Sequence, residues 1–404
     1  MARFKYAGRD RKGTRQGTIN AVSKREALLK LKEDGIRVVD INEVPETFLT
    51  KDISIGNPVK LEHFVIYIRQ FATLLKAGVT VVDATSILAT QTESKHLKKA
   101  LVAIESELRE GNPLSLAVTK HKKIFTPMFI NMVRAGEVGG NLDGALERLA
   151  DHFEKQHHTK QKIISALTYP AVIGVIAIGV VIFLLTSIVP TFVTMFDDLG
   201  GELPAITQFV MGASAFVQGW WWLLALIGLM TAMGVVMIRK NQETKYYLDY
   251  ALLRMPIFGK LLQKAVLARM TRTLSSLFSS SVPILQAMSI VENVVENEVI
   301  ARVVRKSRDS LEKGQSMTIP MQNHWAFPPL VTQMVSIGEQ TGSLDSMLAK
   351  VAEFYEKEVD IGTDKLKSLI EPLMIVVLAA LVGTIVTSIM VPMFEMFNQF
   401  DKKY

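Results

Sequence analysis

The sequence predicts a mainly α, polytopic membrane protein: two homologous cytoplasmic helical-bundle modules, three transmembrane helices and a small N-terminal α+β appendix. Three observations carry this. Ala171 to Val193, Gly219 to Ile238 and Leu373 to Phe394 contain no charged residue, and each covers the roughly 20 helical residues that cross about 30 Å of hydrocarbon. The chain also matches itself at a nearly constant offset. Its polar stretches place apolar residues at helical spacing, with no sustained alternation of period two. The 404 residues are 49% hydrophobic with mean hydropathy +0.25, and the excess is gathered in the three uncharged runs.

From the N-terminus, residues 1–42 form a basic α+β domain. Arg3 to Tyr6 and Gly17 to Asn20 read as strands around a Gly8 to Gly13 turn, Ser23 caps a helix from Lys24 to Lys32, and Ile36 to Ile41 returns as a strand. No apolar stretch here resembles a cleaved signal peptide, so the first span is expected to direct its own insertion. Residues 43–60, with Pro45, Gly56, Asn57 and Pro58, read as a linker.

The first module spans 61–167. Phe64, Tyr67, Ile68, Phe71, Leu74 and Leu75 line one helix face, ended by Gly78. Leu97, Leu101, Ile104 and Leu108 make a second stripe, closed by Gly111, Asn112 and Pro113. Leu142, Leu146, Leu149 and Phe153 make another. The first transmembrane helix follows at 168–194, a short external loop at 195–218 and the second helix at 219–238, with Trp220, Trp221 and Trp222 at one edge. A connector at 239–263 leads to the second module at 264–368, the third transmembrane helix at 369–397 and an external tail at 398–404.

Charge sets the orientation. Lys160 and Lys162 precede the first span and Arg239, Lys240 and Lys245 follow the second, whereas Met195 to Gln218 carries Asp197, Asp198 and Glu202 without Lys or Arg. The positive-inside rule then puts both modules and the N-terminus in the cytoplasm and the C-terminus outside. Lys402 and Lys403 oppose the rule on a short tail.

The internal repeat dictates the architecture. Arg69 falls on Arg272, Leu74 on Leu277, Val79 on Val282, Ala84 on Ala287 and Leu108 on Leu311. After the loss of one residue, Phe125 meets Phe327, Gly136 Gly338, Glu137 Glu339, Gly140 Gly342, Glu154 Glu356, Pro170 Pro372 and Pro190 Pro392. Each copy is a soluble module followed by a membrane helix. Two such copies need one extra crossing to bring the chain back, which is the second span.

Two motifs recur. Gly136, Glu137, Gly140, Leu142 and Asp143 correspond to Gly338, Glu339, Gly342, Leu344 and Asp345. The glycines permit left-handed backbone or close helix approach, Asn141 or Ser343 can cap the next helix, and the aspartates favour its positive end. Capping does not demand Glu137 or Glu339, which either brace a turn or meet a partner. Tyr169 with Pro170, and Glu371 with Pro372, stand at the cytoplasmic entrances of the first and third spans. Proline near a helix start costs little and can set the joint between module and span. Glu371 is either interfacial or faces a partner helix in the bilayer.

Enzymatic readings find no constellation. No GxxxxGK[ST] loop accompanies Gly136, Gly139 and Gly140. His152, His157 and His158 fall on different faces of a helix and read as a solvated end near the membrane, not as metal ligands. Ser275, Ser276, Ser279, Ser280 and Ser281 lack a GxSxG elbow and read as helix surface and turn. With no cysteine there are no disulfides or thiolate sites. No catalytic residue, cofactor or metal is expected. A membrane transporter or channel component is the alternative, but the spans carry few polar groups beyond Thr186, Ser187, Thr384, Thr387 and Ser388.

The doubled module, the GE-x-x-G-x-L-D signature in both copies, the Tyr-Pro and Glu-Pro span entrances and the basic appendix together resemble the inner-membrane platform proteins of type IV pilus and type II secretion machines. That family includes general secretion pathway protein F. The likeness covers Arg3 to Phe397. It implies a bacterial inner-membrane protein that oligomerises, has no catalysis of its own and contacts no nucleic acid directly. It also implies a role connecting a cytoplasmic hexameric assembly ATPase to pilin or pseudopilin subunits, beside other inner-membrane components.

Overall fold

A computed structural model describes residues 2–10, 13–21, 24, 28, 31–32, 35–43, 58–191, 194 and 205–401. They fall into two compact units, Met1–Pro58 and Val59–Tyr404. The first holds a three-stranded antiparallel sheet of β1 (Ala2–Asp10), β2 (Gly13–Ala21) and β3 (Arg37–Glu43), with β1 in the centre. The hairpin strands run further than the sequence suggests. Phe4, Leu31, Ile36 and Ile41 form its small core. The β1–β3 register shifts between Ala7 and Gly8. A Cβ at Gly8 would stand 2.7 Å from Ile36 Cγ2, so the backbones approach there as only glycine allows. Of the expected helix, Lys24, Leu28, Leu31 and Lys32 are helical, and the rest lies outside the described residues, as does most of the 43–60 linker.

The second unit is helical. Its first half holds α1 (Leu61–Lys76), α2 (Val81–Gln91), α3 (Lys95–Arg109), α4 (Leu114–Thr119), α5 (Pro127–Val138) and α6 (Leu142–Phe183). After α6 a π-helical turn, Leu184–Ile188, carries the helix on. Next come α7 (Ala205–Lys240) and α8 (Gln242–Arg254). The second half holds α9 (Phe258–Ser279), α10 (Ile284–Val294), α11 (Glu298–Glu312), α12 (Thr318–Gln322), α13 (Pro329–Thr341) and α14 (Leu344–Asp401). α1 packs along α6, α9 along α14, and α6 along α14.

The stripes read from sequence bury as the periodicity requires: Phe64, Tyr67, Ile68 and Phe71 on α1, and Leu97, Leu101 and Ile104 on α3. α1 ends where Gly78 takes φ +85°, with the Val79 amide donating to the Leu74 carbonyl at 3.0 Å. At the matching place after α9, Ser281 holds φ +58° and the Val282 amide donates to Leu277 at 3.1 Å.

Two regions differ from expectation. Ala205 to Gln218, read as external loop, is helical and continuous with the second uncharged run, since no proline or charge interrupts it. The 239–263 connector is part of the core: α8 packs on α9 and α11, Tyr246 and Tyr250 lie against the main cluster, and buried Asp249 accepts the Glu298 amide at 2.7 Å. That carboxylate caps α11 from outside its own helix.

Two helices, Leu142–Thr191 and Leu344–Val391, are long and apolar enough to cross a membrane. Their apolar ends are clothed in exposed residues, among them Val175 at 71% and Val376 at 64%, a surface suited to hydrocarbon and unfavourable in water. The remaining uncharged run, Gly219 to Ile238, lies within α7.

Candidate functional site

The recurring glycine–glutamate motif forms the corner where α5 turns into α6 and α13 into α14. The two glycines of each copy do different work. A Cβ on Gly136 would stand 2.7 Å from Ala145 Cβ and 3.1 Å from the Asn141 oxygen, so the α5 backbone lies directly on the first turn of α6. A Cβ on Gly338 would meet Leu344 Cα at 3.0 Å. Gly140 and Gly342 hold left-handed φ of +65° and +71°, which lets the Asn141 and Ser343 amides close onto the carbonyls of Gly136 and Gly338 at 2.9 and 3.0 Å. Asn141 Oδ1 accepts the Gly144 amide at 3.1 Å as the α6 cap. Leu142 and Leu344 pack on the main core, while Asp143 and Asp345 sit exposed in the first helical turns, where negative charge is favourable.

Both glutamates reach across the module to a short preceding helix. Glu137 accepts the Ser115 amide on both carboxylate oxygens at 3.2 Å. Glu339 accepts the Met317 amide at 3.1 Å and the Ser316 hydroxyl at 2.5 Å. The amides at the start of α4 and at Met317, just before α12, have no partner inside their own helices, and an ionised acceptor satisfies them strongly. These contacts tie each corner to a short helix across its module; they do not bear on whether the glutamates also meet a partner.

The proline joints need correcting. Pro170 lies well inside α6 and Pro372 well inside α14, not near helix starts. Each proline deletes one amide donor, leaving the Ala166 and Ser368 carbonyls without that bond. The helices continue because an apolar segment that breaks its backbone ladder exposes polar groups hydrocarbon cannot solvate. Tyr169 and Glu371 are both exposed beside them. Further along, the π-turn presents the Leu185 carbonyl to Ser214 Oγ of α7 at 2.5 Å, and Thr207 Oγ1 donates to the Ser388 carbonyl of α14 at 2.8 Å.

Sequence reasoning missed the ion pairs that fix each long helix to its module. Arg69 of α1 forks onto Glu154 of α6 at 2.6 and 2.5 Å, and Arg272 of α9 onto Glu356 of α14 at 2.7 Å for both bonds. Hydrogen bonds that Arg69 donates to Glu154 and then to Asp151 push its guanidinium further up. The signal was present: opposite charges recurring in register in both copies.

His152 also overturns its reading as a solvated group. It is 4% exposed and faces the second half, and burial, then Arg272 and Arg269, push it down to about 3. It therefore stays neutral. His157 is half-buried and His158 exposed, and no metal-holding group of side chains forms among the described residues. The serine run, expected on the surface, is partly buried as well. Ser275 donates to the Asp345 carbonyl at 2.8 Å, and Ser280 accepts from Arg148 Nε of the first half at 2.8 Å. Small side chains let α9 approach both long helices closely.

Comparison with known proteins places these features. The family model for type II secretion system (T2SS), protein F matches twice, at residues 67–190 and 270–392, and that for its N-terminal domain matches 1–42. The chain is 38% identical over 403 residues to the type IV pilus assembly protein PilC of Thermus thermophilus, covering 98% of this chain and 99% of that one. It is 36% identical over 346 residues to PilC of Pseudomonas aeruginosa, covering 85% and 92%. It is 32% identical over 402 residues to type II secretion system protein F of Xanthomonas campestris, covering 98% and 99%.

Proposed function

Because the chain belongs to the type II secretion system protein F family, we propose that it is an inner-membrane assembly platform, coupling a cytoplasmic hexameric ATPase to insertion of pilin or pseudopilin subunits into a filament. The reading takes the chain as two homologous modules and three spans, with the N-terminus cytoplasmic and the C-terminus external. It works as a homo-oligomer beside other inner-membrane components and performs no catalysis. The observation that carries it is helix continuity: α6 and α14 each begin at a glycine–glutamate corner in a water-facing core and run unbroken into an apolar layer. A helix clamped at its base by a forked ion pair transmits rotation or tilt. In this reading the ATPase turns the modules, and the helices lift pilin segments beyond Pro170 and Pro372. The hydroxyls of the apolar layer speak for packing over transport, since Ser214 and Thr207 bond neighbouring helix backbones.

The test is site-specific photo-crosslinking in bacterial membranes. Probes at exposed Val138 on the first corner and Trp325 in the second half are expected to capture the ATPase, and probes at Ile176 and Val376 to capture pilin. Capture of other components alone from all four positions would sink the coupling role.

A further inference from the structure

Between the two halves, α6, α9 and α14 enclose a cavity of about 170 Å³. Lys155, Lys160, Arg269 and Arg272 line it against a single carboxylate, Glu356. Glu356 is already held by the Arg272 fork, with Lys155 at 3.7 Å. Arg269 pairs with Glu296, a 75% exposed side chain outside the wall, and Lys160 makes no ion pair among the described residues. His152, neutral, also lines the cavity, and its buried Nδ1 has no hydrogen-bond partner. The cavity therefore gathers more positive charge than its own walls neutralise, an arrangement that favours an anion.

Its remaining wall says which anion. Ile163 and Ile164 belong to the lining, and Lys162 just before them is the last charge on α6 before the uncharged run. The cavity thus sits where the helix passes from water to hydrocarbon, the level of lipid headgroups. Ile164 at its rim and Leu167 just past it are exposed at 47% and 42%. A free phosphate would satisfy the cations and leave the isoleucines unused. A phospholipid uses both.

We infer that this cavity holds one anionic phospholipid of the cytoplasmic leaflet, its phosphate between Lys160 and Arg269 and its glycerol end against Ile163 and Ile164. The lipid bridges a helix of the first half to a helix of the second. The inference rests on the proposed crossing of the bilayer by α6.

Native mass spectrometry of the full chain in detergent tests it, with phosphatidylglycerol, phosphatidylcholine or inorganic phosphate added. Wild type is expected to retain phosphatidylglycerol and not phosphatidylcholine. Lys160→Gln with Arg269→Gln should weaken retention about thirtyfold, while Lys98→Gln with Lys99→Gln on α3 removes the same charge and changes nothing. Circular dichroism melting keeps a misfolded variant from counting as support. Equal retention by the cavity variant, equal loss in the α3 variant, equal retention of phosphatidylcholine, or displacement by inorganic phosphate alone would each overturn the lipid site. Alkaline washing of membranes separates the two readings. Release of the chain defeats the membrane crossing itself, whereas a chain that resists washing but fails the lipid arms defeats only the site.

Discussion

Removing Arg272 is expected to cost the fold more than removing Arg69, although the two arginines occupy the same place in their halves and fork onto their glutamates alike. The difference is water. The side chains of Arg272 and Glu356 are 14% and 22% exposed, those of Arg69 and Glu154 35% and 40%. Stranding one member of a fully buried pair costs about 3–5 kcal/mol, because the survivor keeps its desolvation without its partner. An exposed pair is worth about 0.2–1 kcal/mol. Glu356 retains Lys155 at 3.7 Å, so Arg272→Gln is placed at about 2 kcal/mol. Arg69→Gln leaves two carboxylates that water reaches easily, and falls at about 0.5–1 kcal/mol. At about 2–4 °C per kcal/mol for a unit of this size, the melting temperature should fall by about 4–8 °C for Arg272→Gln and by about half that or less for Arg69→Gln. Thermal unfolding of the full chain in detergent, followed by circular dichroism, measures both. Arg272→Lys should recover only part of the loss, since an ammonium cannot fork. Equal shifts, or a larger one for Arg69, would refute burial as the controlling variable.

In the first corner, Gly136→Ala forces a methyl to within 2.7 Å of Ala145 Cβ and should destabilise by about 1–3 kcal/mol. Gly140→Ala meets no atom but must hold φ +65°, at about 1–2 kcal/mol; urea unfolding of each variant reads both. Ser281→Gly relieves the left-handed strain of an exposed serine and should gain about 0.5 kcal/mol, seen as a higher melting temperature. His152 has a folded pKa, about 3, below its ordinary value near 6.5. Its contribution to stability is therefore complete above about pH 6.5 and drains away as pH falls toward the folded value, at about 1.4 kcal/mol per pH unit. Melting curves between pH 7.5 and 5 should fall more steeply for wild type than for His152→Gln.

The soluble helices were legible because each buries one stripe in water. Phe64, Tyr67, Ile68 and Phe71 recur at the helical period, and Gly78 and Gly111 mark the ends by backbone conformation alone. What the sequence concealed follows from changes of solvent and from distance. Module and span look like separate elements because residue polarity changes along α6 and α14 as water gives way to an apolar surround, yet each helix runs on through the change, losing only the bond its proline deletes. α8 reads as a polar connector since its inner face combines buried Asp249 and Leu253 with half-buried Tyr246 and Tyr250, whose burial depends on partners in α9 and α11. In the corner motif, the glycines and Asn141 could be read locally. The purpose of Glu137 could not, because its acceptor role lies across the module at Ser115.

These contacts also locate where the platform can bend. One buried apolar cluster takes in both halves, from Val59 to Tyr355, and close-packed interiors transmit displacement with little deformation. Give must then lie where the helical ladder is interrupted: at Pro170 in α6 and the Leu184–Ile188 turn that follows it, and at Pro372 and Pro392 in α14. Beyond Pro170 and Pro372, α7 holds the two long helices together. Ser214 bonds the carbonyl at the π-turn, Thr207 bonds that of Ser388, and Leu185, Val189, Val210 and Ile385 bury one another at the same level. α7 is thus the tie between the two long helices. Each long helix has one proline before the tie, Pro170 or Pro372, and an interruption at it: the π-turn on the first, and on the second the Ser388 carbonyl left free by Pro392.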